Sequence, residues 1–467
     1  MSERLDELAG VARELLGDDG WLVGGAVRDH LLGRRVEDWD VVVAGDPGAA
    51  ARAYARRTGG SPFPLSERHG AWRVTGSAGV DFTALHGSLP EDLARRDFTA
   101  NAVAVALADG AVSDPHDGLG DIAARRLRAV GDTVFRDDPL RLLRLPRLAA
   151  ELEFTVEDGT AALAARDAAL APEAAGERQL AELHRILAVR DPVDALTLCD
   201  ALGVLRTVLP EVDALHDVDQ SGFHHLDVFE HTLHVIDAAA DVTAHIGHFF
   251  PDAVVATAIE EALAAPLDGM MDVRTGLRWA ALFHDIAKPY TRTVMDDGAI
   301  KFFGHDRTGV TMAGEILDRL HGSGALHELC AVLVRHHLTL GFMIPERPLD
   351  RRAVYRYALA TRPYALPSIV LSLGDRLATR GRRTRQRGLR RHLETARELA
   401  AGIVALGDVP PRLLAPADRI AAAIGLEPGP ALGRLVAALQ EEQAAGAVSN
   451  EAEAVAFART FIATNEP

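Results

Sequence analysis

Residues 21–45 read WLVGGAVRDHLLGRRVEDWDVVVAG, and they decide the fold of the N-terminal part of this chain. WLVGG (21–25) predicts a short strand that ends in a glycine turn, and AVRDHLLG (26–33) predicts a helix closed by Gly33. WDVVVAG (39–45) is typical of a buried strand. This part of the chain is therefore predicted to mix strands with helices.

The pattern changes along the rest of the chain. AWRVTG (71–76) and VDFTAL (80–85) predict a hairpin, but beyond about residue 130 strand signals nearly vanish. Helical spacing takes over in segments such as PLRLLRLPRLAAEL (139–152), in which Pro146 is expected to introduce a kink. The predicted fold class is α+β, with a small mixed head followed by a long helical remainder.

Length and composition limit the class of protein. A chain of 467 residues predicts two to four domains, and 48% apolar with 25% charged residues is the balance of a soluble globular protein. No uncharged apolar window long enough for a membrane span is present, and the acidic N-terminus lacks the order of a signal peptide. Cys199 and Cys330 are the only cysteines, which excludes a disulfide framework and argues against a Cys-rich zinc site. These features predict a cytoplasmic protein without a membrane partner.

Charge is distributed unevenly. The net charge of −17 argues mildly against nucleic-acid binding, yet residues 376–391 (RLATRGRRTRQRGLRR) hold eight arginines and no acid. This run is either a solvated helix face or a surface that binds RNA phosphates electrostatically.

Asp38 and Asp40 flank Trp39 near the start of a predicted strand, so their side chains point to the same side. Two adjacent carboxylates repel each other, and a divalent cation such as Mg²⁺ relieves that repulsion. Taken alone, the pair is more often a surface feature of a strand end. Asp81, on a neighbouring predicted strand, is a candidate third carboxylate.

Gly24 and Gly25 stand just before the predicted helix, with Arg28 one turn inside it. Glycines let a backbone approach a phosphate, and a helix N-terminus attracts an anion. Together with the carboxylates, these residues describe two-metal phosphoryl-type chemistry.

The motifs along the chain resemble those of class II tRNA nucleotidyltransferases. These are the CCA-adding enzymes and their bacterial poly(A) polymerase relatives, within the polymerase beta-like superfamily. The matching segments, in chain order, are GGAVRD (24–29), DWD (38–40), RRDFTANA (95–102), DDPLRLLRLPRLAAELEF (137–154), ERQLAEL (177–183) and GLEPGPALG (425–433).

The resemblance implies roles for residues of the head and the neck. Those expected to hold Mg²⁺ and to act catalytically are Asp38, Asp40 and Asp81. Those expected to bind the triphosphate are Gly24, Gly25 and Arg28. Those expected to contact phosphate and sugar are Arg96, Asp97 and Asn101. Those expected to bind or support the incoming base are Asp138, Arg141 and Arg144.

Base recognition by Asp138 and Arg141 makes physical sense. A carboxylate accepts from the exocyclic amine of C or A, and a guanidinium donates to ring acceptors, whereas U and G present the wrong donors. Without the resemblance, the two residues would more often be an i,i+3 ion pair on a helix.

The chain departs from the family in one informative place. Only ALHGSLPEDLA (84–94) separates the third-carboxylate strand from RRDFTANA, where members that complete CCA usually carry a longer loop. The short segment resembles members that stop at CC, and both outcomes stay open. No basic-plus-aromatic strand motif of the poly(A) polymerase kind lies between Asp46 and Val80.

A second pattern lies in the middle of the chain. FHHLDVFEHTLHVID (223–237) and ALFHDIAKP (281–289) are followed by FFGHDRTG, RHHL and LSLGDRLA. Scattered histidines are ordinarily surface groups, but this order resembles HD phosphohydrolases, which hold divalent metals. The expected metal ligands are His231, His284, Asp285 and Asp375, with His305 and either His336 or His337 at a second position.

The predicted domains are a nucleotidyltransferase head (1–127), a helical neck with the protein template (128–195), an HD-type phosphohydrolase domain (196–395) and a C-terminal helical region (396–467). The predicted function is addition of C, as CC or CCA, to tRNA 3′ ends from CTP and ATP. Mg²⁺ is expected in the head and an unidentified divalent metal in the HD domain. The alternatives are a poly(A) polymerase, or an RNA-binding metal phosphohydrolase with a disused polymerase head.

Overall fold

The structure is a computed structural model that describes residues 3–36, 38–66, 70–76, 79–220, 226–379, 386–407 and 409–464. Part of the arginine-rich run, residues 380–385, lies outside the described residues. The chain forms two compact units, of which the first comprises 1–190 and 194–208 and the second 191–193 and 209–467. The α+β class is confirmed, and the finer four-domain division stays a prediction.

A seven-stranded sheet organises the first unit, with strand order β3-β4-β5-β2-β1-β6-β7. Strands β2 and β5 run parallel, and the other neighbouring pairs are antiparallel. The strands are β1 (Gly20–Val23), β2 (Asp38–Val43), β3 (Ser61–Ser66), β4 (Ala71–Thr75), β5 (Gly79–Ala84), β6 (Ala104–Ala106) and β7 (Val112–Ser113).

The sheet forms where the sequence predicts it, with one instructive exception. Val41, Val42 and Val43 of β2 are almost completely buried, as the apolar run predicts for a central strand. Strand β3 (SPFPLS) carries two prolines and was not expected. It lies at the edge of the sheet, the position in which missing backbone donors are tolerated.

Helices cover the sheet and then make up the rest of the first unit. Those of the head are α1 (Glu3–Leu16), α2 (Gly25–Leu31), α3 (Pro47–Thr58), α4 (Leu89–Ala94) and α5 (Gly118–Ala123). The following helices are α6 (Val134–Asp137), α7 (Arg141–Leu152), α8 (Asp158–Asp167), α9 (Gly176–Ala188), α10 (Pro192–Ala201) and α11 (Val204–Val208). Two short parallel strands, β8 (Arg126–Leu127) and β9 (Thr155–Val156), lie among them. Helix α7 runs through Pro146 as one element.

Where the structure describes it, the second unit is helical apart from one hairpin, β10 (Arg292–Val294) and β11 (Ile300–Phe302). Its first helices are α12 (Pro210–Asp213), α13 (Val228–Ala244), α14 (Ile246–Phe249), α15 (Ala253–Ala264), α16 (Val273–Phe283), α17 (Lys288–Thr291), α18 (His305–Arg319) and α19 (Gly324–His336). They are followed by α20 (Thr339–Met343), α21 (Arg351–Thr361), α22 (Ala365–Ala378), α23 (Gln386–Leu406), α24 (Ala417–Ile424), α25 (Pro430–Ala445) and α26 (Glu451–Thr464). Within the described ranges, no helix is both long and apolar enough to cross a membrane.

Helices α13, α16, α19 and α22 pack against one another around a core that includes the fully buried Trp279 and Phe283. Helices α24, α25 and α26 enclose a separate small core in which Leu435 and Leu439 are completely buried. The larger of these two helical groups carries the histidine motifs.

Candidate nucleotide and metal sites

The predicted head carboxylates share one face of the sheet. Asp38 and Asp40 lie two residues apart on β2, and the strand register pairs Asp40 with Asp81 on β5. Registered residues on neighbouring strands point to the same side. Asp38 is mostly exposed, Asp81 is largely buried, and the third carboxylate therefore lies beside the pair as the sequence predicts.

Arg73 also belongs to this cluster, although no local sequence pattern indicated it. It is the register partner of Asp81 across β4 and β5. Its Nε and Nη2 donate to the two carboxylate oxygens of Asp81 at 2.7 and 2.8 Å, and Nη2 lies 3.6 Å from Asp38 Oδ2. Both Asp81 oxygens are therefore engaged by a guanidinium in this structure, whereas Asp38 and Asp40 keep oxygens available for a cation.

Burial raises the pKa of the Asp40 carboxyl to about 6, against an ordinary value of 3.8. Arg96 opposes the rise, while Asp81 and Asp38 add to it by like-charge repulsion. A cation bound at this position would replace the missing water and remove the repulsion. The donor set and its electrostatics therefore fit a divalent metal.

The raised pKa predicts that Asp40 weakens the metal-free fold at neutral pH. A carboxyl with a raised folded-state pKa favours folding at low pH, and this contribution is lost as pH rises through about 6. Asp40→Asn keeps a neutral group at every pH. In EDTA, the stability advantage of this variant over the natural protein should grow by about 1 kcal/mol between pH 5 and pH 8.

Urea unfolding at the two pH values measures this difference. The exposed Asp132 provides the matched control, and Asp132→Asn should show no such growth. An Asp40→Asn advantage that is the same at both pH values would mean that Asp40 is not held in a desolvated, repulsive site.

The glycine turn brings the backbone close to these carboxylates. Gly24 has φ of +71°, and a Cβ atom there would lie 2.8 Å from Arg96 Nη1 and 3.1 Å from Asp40 Oδ2. Any side chain would be strained and would collide with both groups. Gly24 thus leaves room between Arg96 and Asp40 at the N-terminal end of α2.

A buried chain of polar contacts runs from α2 to α7. Arg28 holds Asp29 with two hydrogen bonds, and its Nη1 donates to Asn101 Oδ1 at 2.6 Å. Asn101 Nδ2 donates to Asp97 Oδ1 at 2.8 Å, and Arg144 Nη2 lies 3.1 Å from Asp97 Oδ2. Burial alone would raise the pKa of Asp97, but Arg144 and Asn101 outweigh it and lower that pKa. These five side chains therefore form one polar network, here called the Arg28–Arg144 network.

Asp138 and Arg141 do not pair with each other. Asp138 Oδ2 accepts from Arg178 Nη2 at 3.0 Å, while Arg141 donates to the backbone oxygens of Arg95 and Val134 at 2.6 and 3.1 Å. The simple i,i+3 ion pair is therefore absent for these two described residues. Arg178, on α9, was not among the predicted residues because its link to Asp138 spans 40 positions.

A cavity of about 850 Å³ opens in front of the head carboxylates. Predicted residues on its wall are Gly25, Arg28, Asp38, Asp40, Asn101 and Arg144. Cations that the sequence did not single out are Arg34, Arg35, Arg147 and Arg185. Arg147 is held by Glu182 and Glu151, and the others add positive charge opposite the carboxylates. A volume of this size with convergent cations suits a nucleotide with several phosphates.

In the second unit, four predicted metal ligands converge. His231 Nε2 lies 3.1 Å from Asp375 Oδ1 and 3.7 Å from Asp285 Oδ2. His284 Nε2 lies 3.0 Å from the same oxygen of Asp285. All but Asp375 are almost completely buried, and the chain positions of the four span 144 residues.

A second group shares Asp285 and corrects one sequence assignment. His305 Nε2 and His337 Nε2 lie 3.4 and 3.8 Å from Asp285 Oδ1. His337, rather than His336, completes this group; His336 is half-buried and contacts Thr339 through Nδ1. Successive helical residues point about 100° apart, so only one of the two histidines can face the cluster.

The tautomers of three histidines favour metal binding. In His284, His305 and His337, Nδ1 lies 2.7–2.8 Å from the backbone oxygen three residues upstream, so Nδ1 carries the proton. The Nε2 lone pairs of His305 and His337 face each other at 3.3 Å, whereas His284 Nε2 lies 3.0 Å from the Asp285 carboxylate, which outweighs burial and raises the pKa of His284. The arrangement of His305 and His337 is repulsive without a cation and is the usual orientation of metal-ligating histidines.

Asp285 remains ionised in this setting. Burial alone would raise its pKa, but His284 and Lys288 outweigh burial and hold the pKa well below its ordinary value. Lys288 Nζ lies 2.6 Å from Asp285 Oδ2. The donor set of imidazole nitrogens and carboxylates fits divalent metals of the zinc, manganese or iron class.

Comparisons with known proteins agree with this two-site arrangement. Residues 20–78 and 69–128 match the Poly A polymerase head domain, and residues 228–380 match the HD domain. The A-adding tRNA nucleotidyltransferase of Deinococcus radiodurans is 37% identical, over 94% of this chain and 95% of the relative. The CC-adding tRNA nucleotidyltransferase of Thermus thermophilus is also 37% identical, over 94% and 93%. A CCA-adding enzyme solved with ATP shares the fold, with a TM-score of 0.66 at 17% identity, over 99% of this chain and 95% of that one.

Proposed function

Because this chain belongs to the tRNA nucleotidyltransferase family, we propose that it adds C to tRNA 3′ ends from CTP and stops after two additions. CC-adding and A-adding relatives are equally similar to it, so overall identity does not choose between them. Poly(A) synthesis and a disused head are not favoured, because these relatives are tRNA nucleotidyltransferases over nearly their full length. The proposal includes cytoplasmic action on tRNA.

The observation that carries CC addition is the short connection after β5. Only four residues separate Ala84 from helix α4, which starts at Leu89. Ser88 and Glu91 form a capping box at its start, and Leu93 is completely buried. Asp92 accepts a hydrogen bond from the His86 backbone at 3.3 Å. The connection is therefore capped at Ser88 and packed into the core through Leu93, while His86, Gly87 and Ser88 are exposed.

A short, packed connection of this kind supplies no long loop that could help the template residues to change the base that they accept. Accepting A after C requires Asp138 and Arg141 to accommodate a larger base with a different edge. The family resemblance implies that, in the members that complete CCA, a longer loop at this place assists the change. The short, capped segment of this chain therefore supports a template that reads C alone.

Product length tests the proposal directly. With a tRNA that ends at the discriminator base and with CTP and ATP both present, we expect exactly two added residues, both C. A tRNA that already ends in CC should receive no A, even at high ATP concentration. Efficient terminal A addition on either substrate would refute CC-only addition without touching the family assignment.

We further propose that Asp38 and Asp40 hold Mg²⁺ in the head, with Asp81 beside them. When bound, Mg²⁺ neutralises the triphosphate and activates the attacking 3′ hydroxyl. Arg73 already compensates the charge of Asp81, so Asp81 becomes a metal ligand only if its two hydrogen bonds with Arg73 break.

The remaining head residues divide into binding and positioning roles. Arg28 and Arg96 are proposed to bind the triphosphate, because Arg28 lines the cavity and Arg96 lies next to Gly24. Asn101 and Asp97 use their inner polar atoms within the Arg28–Arg144 network. This bonding favours a role in fixing Arg28, with Asn101 still reachable from the cavity.

Asp138 and Arg141 are proposed to read the base. Both are anchored by neighbouring groups, and anchoring of this kind keeps donors and acceptors in a fixed direction. Arg144 supports them from the next turn of α7 and connects them to the Arg28–Arg144 network.

A second activity is proposed for the HD domain, namely metal-dependent hydrolysis of phosphate esters. The observation that favours it is the buried cluster of His231, His284, Asp285 and Asp375, continued by His305 and His337. These residues would hold the divalent metal, which supplies a nucleophilic hydroxide when bound.

A further inference from the structure

A cavity of about 550 Å³ is lined both by residues of the HD cluster and by two arginines of the arginine-rich run. Asp285, Lys288 and Asp375 line this cavity together with Arg376 and Arg391. The cavity falls in the size range of small-molecule sites. We propose that Arg376 and Arg391 bind the phosphate group of the ester that the HD site hydrolyses.

Neither arginine has an acidic partner among the residues that the structure describes. Glu394 lies one helical turn from Arg391, but it accepts from Arg347 Nη1 at 2.7 Å instead. Most guanidinium groups near either site, such as those of Arg73 and Arg147, are held by carboxylates. A guanidinium that lines a cavity without a counter-ion is prepared for an anion, and its planar fork matches phosphate.

A glycine makes room for one of these guanidinium groups. Gly388 lies in the first turn of α23, and a Cβ atom there would lie 2.8 Å from Arg376 Nη2. Glycine in a helix is destabilising relative to alanine, so this position needs a reason. Its absence of a side chain lets the head group of Arg376, from α22, lie against α23 at the cavity wall.

Other arginines of the run behave differently. Arg387 and Arg390 are exposed on α23, as Arg391 is, but they do not line the cavity. The described part of the run is therefore divided between a solvated face and a cavity wall. Because the ligand is recognised by its phosphate, a nucleotide ester and an RNA 3′-terminal ester are two sources of the same chemistry.

The inference rests on the proposed HD function, so it is tested by binding as well as by turnover. Inorganic phosphate is titrated calorimetrically into Mn²⁺-loaded full-length protein. Arg376→Gln combined with Arg391→Gln should weaken binding roughly tenfold or more, since hydrogen bonds between charged groups are the stronger ones. Arg390→Gln removes one positive charge from α23, the helix that carries Arg391, and should change binding less than twofold.

Turnover separates phosphate binding from a general structural effect. With p-nitrophenyl phosphate, the double variant should raise KM roughly tenfold while kcat and metal content stay near those of the Arg390→Gln control. Gly388→Ala favours the helix but displaces the Arg376 head group, so it should raise KM while leaving thermal stability unchanged or higher.

Two further substrates identify the source of the phosphate. Cytidine 2′,3′-cyclic monophosphate is compared with a tRNA that ends in a 2′,3′-cyclic phosphate. A raised KM for both substrates assigns the arginines to the phosphate itself, and a raised KM for the tRNA alone assigns them to an RNA end.

The outcomes distinguish the inference from the function on which it rests. If the natural protein binds phosphate but hydrolyses nothing, the hydrolase proposal fails and the binding difference alone decides the role of the arginines. If the double variant binds phosphate as tightly as Arg390→Gln, the inference is overturned. If the natural protein binds no phosphate, the inference is overturned, and turnover alone decides the hydrolase proposal.

Discussion

Nucleotide addition by an Asp40→Asn variant is expected to fall by roughly a thousandfold or more, about 4 kcal/mol in activation free energy. The substitution keeps the shape of the side chain but removes the charge that faces Arg96 and lies between Asp38 and Asp81. Phosphoryl transfer rests on positioning and charge neutralisation, so the loss of one metal carboxylate cannot be compensated by the rest of the site. Single-turnover incorporation of radiolabelled CMP into tRNA measures the effect.

Binding of tRNA provides the control for this variant. Filter binding should change less than about threefold, because one carboxylate is replaced by an amide and no phosphate-binding cation is lost. Asp138→Ala gives a contrasting result, since it should relax the preference for C over U and G more than it slows addition. Near-normal addition by Asp40→Asn would refute the assignment of Asp40 as a metal ligand.

Replacing both His284 and Asp285 with alanine is expected to remove metal-dependent phosphate ester hydrolysis completely. Asp285 contacts both groups of histidines, so its loss opens both metal positions at once. Elemental analysis should show loss of the bound divalent metal. CC addition should stay within about twofold, because every residue of the proposed head site lies in the first unit.

The second unit offers a matched control pair for this experiment. His245 and Asp241 form an exposed ion pair at 2.9 Å, and their double alanine variant should keep both activities. Since His284 and Asp285 are buried, Asp285→Asn is a milder variant that retains the volume of the side chain. If a variant with the same Tm as the natural protein loses both CC addition and hydrolysis, the two sites are not independent.

Local sequence patterns predicted the centre of the head well. The glycine turn, the short helix and the Asp-Trp-Asp strand each depend on neighbouring residues. Hydrophobic periodicity and turn chemistry therefore suffice to place them. Strand β3 was missed because its two prolines argue against a strand, and its edge position became known only from the pairing with β4.

Contacts that join distant positions could not be read from the sequence. The role of Arg73 depends on the register between β4 and β5, and the link from Arg178 to Asp138 depends on how two helices pack. The choice of His337 over His336 depends on the rotation of the end of α19 by a single residue. The family resemblance supplied the order of the HD ligands, whereas helical periodicity alone could not have grouped them.

The Arg28–Arg144 network limits how these positions can change in evolution. Three contacts connect the network: Arg28 to Asn101 at 2.6 Å, Asn101 to Asp97 at 2.8 Å, and Asp97 to Arg144 at 3.1 Å. Exchange of any one of them leaves the next with a buried polar group that has lost its partner, at a cost of about 1–3 kcal/mol. A single substitution at these positions is therefore expected to be destabilising, and a linked change at the neighbouring position of the network is expected to offset part of that cost.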